Sequence, residues 1–182
     1  MTIADQLTLA RAAAVPVVIV LFALPFAGHN LWGTGVFCVA MATDFFDGRI
    51  ARRTGRTSSF GSLLDPVADK LLVLSTLVVL LDQGVFPAWM VAAIVARELL
   101  ISGHRLAAVE RGIVIAARDL GKLKTWSQAT AAAVGGLAAA DAWSDAVAWW
   151  ALLVAVVLTW VSGLDYARSA PRVLRGRAVA SP

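Results

Sequence analysis

Cysteine is nearly absent from these 182 residues: Cys38 is the only one. That excludes an intrachain disulfide and any metal site built on several thiolates. Cys38 sits in an apolar run and reads as a small core residue. Charge is scarce as well, at 15% of residues against 59% hydrophobic ones, with a mean hydropathy of +0.77. A water-soluble domain of this length needs more polar residues to cover its surface. Histidine occurs twice, at His29 and His104. A basic segment ahead of the first apolar run is missing, as is a small-residue cleavage site, so no cleavable signal peptide is expected.

What is present is a series of apolar runs separated by short polar stretches. The expected architecture is all-α: one polytopic membrane domain over 1–182 with six transmembrane helices. A short amphipathic interfacial helix over Met1 to Ala10 precedes them, and a frayed polar tail follows from about 169. The spans are expected at about 12–26, 31–52, 60–81, 87–109, 125–140 and 146–164. Each needs about 20 apolar residues, which leaves little chain for a soluble domain. Lys and Arg gather at the N-terminus, the 2–3 and 4–5 connections and the tail. The turns at 28–31, 82–86 and 141–145 carry none. By the positive-inside rule the basic side, with both termini, is cytoplasmic. The net charge of +4 is interleaved with apolar runs, so anionic lipid head groups and phosphate substrates are the expected partners rather than nucleic acid.

One stretch concentrates the acids. From Asp44 to Lys70 the chain reads DFFDGRIARRTGRTSSFGSLLDPVADK. Asp44 and Asp47 are three apart and Asp65 and Asp69 four apart, so each pair shares a helix face. Four carboxylates brought together repel unless a cation sits among them. An oxygen-only donor set suits a hard divalent ion, Mg²⁺ or Mn²⁺, and has room for two. Gly48 and Gly61 lack a Cβ and permit close approach. Ala51 keeps its helical face low, and Arg52 can pair with a phosphate.

The pattern Asp44-x2-Asp47-Gly48-x2-Ala51-Arg52, eight residues, then Gly61-x3-Asp65-x3-Asp69 resembles the signature of the CDP-alcohol phosphotransferases, with every fixed position filled. Those membrane enzymes move a phosphoryl-linked group from a CDP-linked donor to an alcohol. The resemblance implies that Asp44, Asp47, Gly48, Ala51, Arg52, Gly61 and Asp65 bind the CDP moiety. It also implies that the four aspartates hold the metal, that Asp69 is the base, and that the protein is a homodimer. Asp69 is read either as base or as metal ligand alone, with His104 as the other base candidate. His29 falls on the far side.

The segments ARELLISGHR, GKLKTWSQ and LLDPVADK are similar to those of the phosphatidylglycerophosphate-forming members, which implies CDP-diacylglycerol as donor and glycerol 3-phosphate as acceptor. Near the N-terminus Leu7, Thr8 and Arg11 match a family segment, while Ala4 and Asp5 depart from it. The candidates for the acceptor phosphate are Arg97, Arg105, Arg118, Lys122, Lys124 and Arg11. Each also has a plainer reading, as a lipid-head-group contact or a buried ion pair. Two other functions stay open on sequence alone. The same donor chemistry could serve inositol phosphate or phosphatidylglycerol, or the acids could form a cation site in a small transporter.

Overall fold

The computed structural model describes the backbone of residues 3–54, 59–110 and 119–178, and the side chains of 9–43, 67–106, 108 and 120–167. Six helices make up the described residues, and no strand occurs among them: α1 (Ile3–Ala23), α2 (His29–Thr54), α3 (Ser59–Asp82), α4 (Ala88–Glu110), α5 (Asp119–Ala139) and α6 (Asp145–Ala178). The expected separate interfacial helix does not form. Residues 3–23 are one continuous helix, because the alanine-rich stretch around Arg11 favours helix and nothing there breaks it. Pro16 lies inside α1. At the other end α6 is helical as far as Ala178, well beyond the expected end of its apolar part.

Two turns close by the same device. At the end of α3, Gly84 N–H donates to Leu81 O and Val85 N–H to Leu80 O, with Gly84 at φ +79°. At the end of α5, Asp141 N–H donates to Ala138 O and Ala142 N–H to Leu137 O, with Asp141 at φ 55°. Both are Schellman closures, which need a left-handed residue to return the chain and satisfy the last carbonyls. Side-chain amides cap further groups at this end of the bundle. Asn30 donates to Ala139 O at 2.5 Å, and Gln83 donates to Phe22 O at 2.8 Å and to Asn30 Oδ1 at 3.0 Å.

α1 packs on α2 and α3, α5 on α2, α3 and α6, and α4 on α3 and α6. The core between them holds Phe22, Phe37, Leu72, Leu77, Leu80, Phe86, Met90, Ile94 and Leu152. α5 can enter this core because Gly135 and Gly136 offer no side chain. A Cβ on Gly135 would strike the Phe86 ring, and one on Gly136 would strike the Thr34 hydroxyl. By contrast, α4 and α5 come no closer than 8 Å between Cα atoms among the described residues.

The polarity of the bundle is reversed relative to a water-soluble one. Val17, Val39, Val78, Leu99, Leu100, Val154 and Val157 are exposed, while Arg11, Arg97, Glu98, Lys124, Gln128 and Thr159 are buried. Among the described residues, α6 over Asp145–Ala167 is the one helix long and apolar enough to cross a bilayer by length and hydropathy, and Leu9–Ala23 forms a shorter apolar stretch. Among the helices with enough described residues to meet that measure, α4 falls short because Arg97, Glu98 and Arg105 interrupt it, and α5 because it is built largely of small residues.

Candidate active site

The aspartate pairs fall on two touching helices, Asp44 and Asp47 on α2, Asp65 and Asp69 on α3. Gly48, Ala51 and Arg52 are on α2 and Gly61 is on α3. The side chains of Asp44, Asp47, Gly48, Ala51, Arg52, Gly61 and Asp65 lie outside the described residues, as does the whole of Arg118. Asp69 is the motif residue whose surroundings are described. Its Oδ1 accepts a hydrogen bond from Arg11 Nη1 at 2.6 Å, and the arginine is 3% exposed. A buried guanidinium is costly without a carboxylate, so this pair fixes α1 against α3 at the level of the motif.

Beside Asp69 a cavity of about 160 Å³ opens between α3, α4 and α5. Its polar wall is Asp69, Lys70, Glu98, Lys124, Thr125 and Gln128, and Val73 and Leu74 supply an apolar patch. Long polar side chains thus occupy the gap left where the α4 and α5 backbones stay apart. Glu98 is the hub. Its Oε1 accepts from Arg97 Nη1 at 3.0 Å, from Gln128 Nε2 at 3.3 Å and, at very short range, from Lys124 Nζ. Gln128 Nε2 also reaches Thr159 Oγ1 at 2.7 Å, and Arg97 Nη2 reaches Ser162 Oγ at 3.1 Å, so the network runs through to α6. On the other wall Lys70 Nζ donates to Ser102 Oγ at 2.5 Å. The Ser102 hydroxyl spends its own proton on Glu98 O, at 2.6 Å.

The expected phosphate-binding cations therefore separate. Lys124 lines the cavity. Arg97 is buried and faces Glu98 and Ser162, one layer behind the wall. Arg11 stands on Asp69. Arg105, Lys122 and His104 are exposed and line no part of this cavity. Lys70 and Gln128, by contrast, face the cavity without having stood out in the sequence. The available signals for Lys70 were its place directly after Asp69 and its position, with Arg97, inside an expected span rather than at the basic end.

A family model for CDP-alcohol phosphatidyltransferase matches residues 1–161. The chain belongs to the CDP-alcohol phosphatidyltransferase family. It is 38% identical over 178 residues to the CDP-diacylglycerol–glycerol-3-phosphate 3-phosphatidyltransferase of Bacillus subtilis (strain 168), covering 89% of this chain and 91% of that protein. The protein of the same description from Salmonella choleraesuis (strain SC-B67) is 37% identical over 170 residues, covering 90% and 92%. A probable phosphatidylglycerophosphate synthase of Mycobacterium tuberculosis (strain CDC 1551 / Oshkosh) is 36% identical over 179 residues, covering 96% and 84%. As a CDP-alcohol phosphatidyltransferase the protein is an enzyme, a transferase of substituted phosphate groups.

Proposed function

We propose that this enzyme transfers the phosphatidyl group of CDP-diacylglycerol to glycerol 3-phosphate, giving phosphatidylglycerophosphate and CMP in phospholipid synthesis. The observation that carries this reading is the position of Asp69. It is the last aspartate of the CDP-binding motif and also part of the wall of a cavity that Lys70 and Lys124 line as well. Donor and acceptor sites that share one carboxylate place the attacking hydroxyl beside the phosphorus it must reach.

In the step, the acceptor hydroxyl oxygen forms a bond to the phosphatidyl phosphorus and the bond from that phosphorus to the CMP oxygen breaks. Asp69 takes the hydroxyl proton. Arg11 orients the Asp69 carboxylate through its 2.6 Å hydrogen bond. Glu98 holds Lys124 and Gln128 at the cavity wall, and Val73 and Leu74 limit the water that enters. An all-carboxylate donor set fits a hard divalent cation, so Asp44, Asp47, Asp65 and Asp69 are proposed to hold one or two Mg²⁺ or Mn²⁺ ions. When bound, such an ion supplies positive charge to the pyrophosphate and its leaving group.

The reversed polarity of the bundle supports a multi-pass placement in the cell membrane, in which all six helices cross. In a bilayer apolar side chains face outward and polar ones pair inside. Trp32, Trp89 and Trp150 near helix starts and Trp143 in the α5–α6 connection, all exposed, suit one membrane interface. The opposite, basic end is assigned to the cytoplasm, with both termini and the site. A homodimer within the membrane is the proposed assembly.

Purified protein supplied with CDP-diacylglycerol, Mg²⁺ and a panel of acceptors tests the reading through CMP release. Glycerol 3-phosphate is the expected acceptor, and added chelator is expected to stop the reaction. Preference for phosphatidylglycerol or inositol phosphate would replace the proposed acceptor. Release that persists in both Asp44→Ala and Asp65→Ala would remove the site.

A further inference from the structure

Beside the cavity next to Asp69 lie cations of two kinds. Lys124, on its wall, and Arg97, one layer behind it, are both tied to Glu98 and share its single negative charge. Lys70 is tied to a neutral hydroxyl, Ser102 Oγ, at 2.5 Å, and among the described residues no carboxylate pairs with it. An ammonium has three protons to donate. Here one goes to Ser102, and the group lines an opening that Asp69 also lines. Taking Lys70, Arg97 and Lys124 together against Glu98, two positive charges remain uncompensated among these four residues. A phosphate monoester carries about −1.5 to −2 near neutral pH, whereas a phosphodiester carries a single negative charge.

We infer that Lys70 is the residue that selects a phosphate-monoester acceptor: its ammonium leaves Ser102 to bind the acceptor phosphate opposite Lys124, with the acceptor hydroxyl directed at Asp69. The inference rests on the reaction proposed above and adds to it the group that reads the acceptor's charge. Adjacency in sequence gives the arrangement its logic. Asp69 and Lys70 are successive residues of α3, so the proton acceptor and the phosphate anchor are set by one rigid turn of helix. Arg97 lies behind the wall and contributes charge without contact. Arg105 is exposed and lines no part of the cavity. Of the cations on this wall, Lys70 is the one whose present partner is exchanged at least cost, because a neutral hydrogen bond is given up for a charge-assisted one.

The test uses the full-length protein in detergent. Lys70→Met removes the charge at similar size. The glycerol 3-phosphate KM is expected to rise about tenfold to a hundredfold, with the CDP-diacylglycerol KM unchanged. Lys70→Arg is expected to recover part of the loss. Lys70→Gln, which keeps a donor for Ser102, serves as the second neutral variant. CDP binding, followed as a rise in melting temperature, reports that each variant is folded. The discrimination of wild-type enzyme between glycerol 3-phosphate and its methyl phosphodiester should shrink in both neutral variants. A wild-type glycerol 3-phosphate KM in either folded neutral variant overturns the inference. So does failure of both to bind CDP, which would assign Lys70 to the frame of the bundle. If wild-type enzyme itself does not use glycerol 3-phosphate, the reaction proposed above fails first, and that result is read without any variant.

Discussion

Asp69 and Arg11 stand 58 positions apart in the chain and 2.6 Å apart in space. Neither position alone announces the pair. Arg11 reads equally well as a phosphate contact or an interface anchor until the first helix is laid against the third. The pairing leads to a definite expectation. Arg11→Ala removes a short charge-assisted donor from the Asp69 carboxylate, and kcat should fall about tenfold to a hundredfold. The glycerol 3-phosphate KM should change little, because the arginine does not reach the cavity. Steady-state rates with each substrate varied in turn check this split, and a pure KM effect would return Arg11 to a substrate-binding role. Arg105 supplies the contrast. It is exposed on α4 away from the cavity, and exposed ionic contacts contribute about 1 kcal/mol at most. Arg105→Ala should therefore leave the acceptor KM within about fivefold of wild type. A larger rise would mean that Arg105 moves onto the acceptor. The aspartate spacing was legible in the sequence because helix periodicity alone puts three- and four-residue neighbours on one face. The cavity wall was not, because it is assembled from α3, α4 and α5, and no local pattern says which helices meet.

At the scale of elements, the six long helices were legible, the supposed separate first helix was not, and the end of α3 was legible where a glycine marks it. Gly84 closes α3, where a turn is expected. Asp141 closes α5 by the same hydrogen bonds while being an L-residue with a positive φ. These two positions should respond in opposite directions. Gly84→Ala forces a side chain into the left-handed region and should cost about 1 kcal/mol, whereas Asp141→Gly relieves it and should gain up to about 1 kcal/mol. Melting temperature in one detergent reads both, and equal shifts of the same sign would contradict the shared closure. The α5 glycines make a sharper demand. Gly136→Val must displace Thr34 and Phe22 from a filled core and should cost about 1–3 kcal/mol. Gly121, with open space around the position of its missing Cβ, should accept alanine without loss. What the sequence could not convey is the continuity of α1. Polar residues at the start of an apolar run look like a separate element, but they are one only where a residue between them breaks the helix, and here none does.

For the whole molecule the decisive property is which side faces what. The apolar exterior and polar interior follow from composition, since a chain with so few charges can satisfy them by pairing inside. The direction of crossing rests on the arrangement of basic residues alone, and it can be tested directly. In a background lacking Cys38, a cysteine at Asp82 should react with a membrane-impermeant reagent from outside intact cells. One at Arg175 should react only after permeabilisation. Reaction of both from outside would reject the proposed orientation.

The convergence of three donors on one oxygen of Glu98 has a consequence for how this protein tolerates change. Remove Gln128, and Arg97 and Lys124 keep their partner. Remove Lys124, and Arg97 and Gln128 keep theirs. Remove Glu98, and two buried cations are stranded together in the same stroke. The network is thus fault-tolerant on its donor side and brittle on its acceptor side. In a library with all four positions randomised and sorted for folded protein rather than activity, survivors should show varied residues at 124 and 128. Any departure from a carboxylate at 98 should come only with the loss of positive charge at 97 or 124 in the same clone. Position 98 moves in company or not at all.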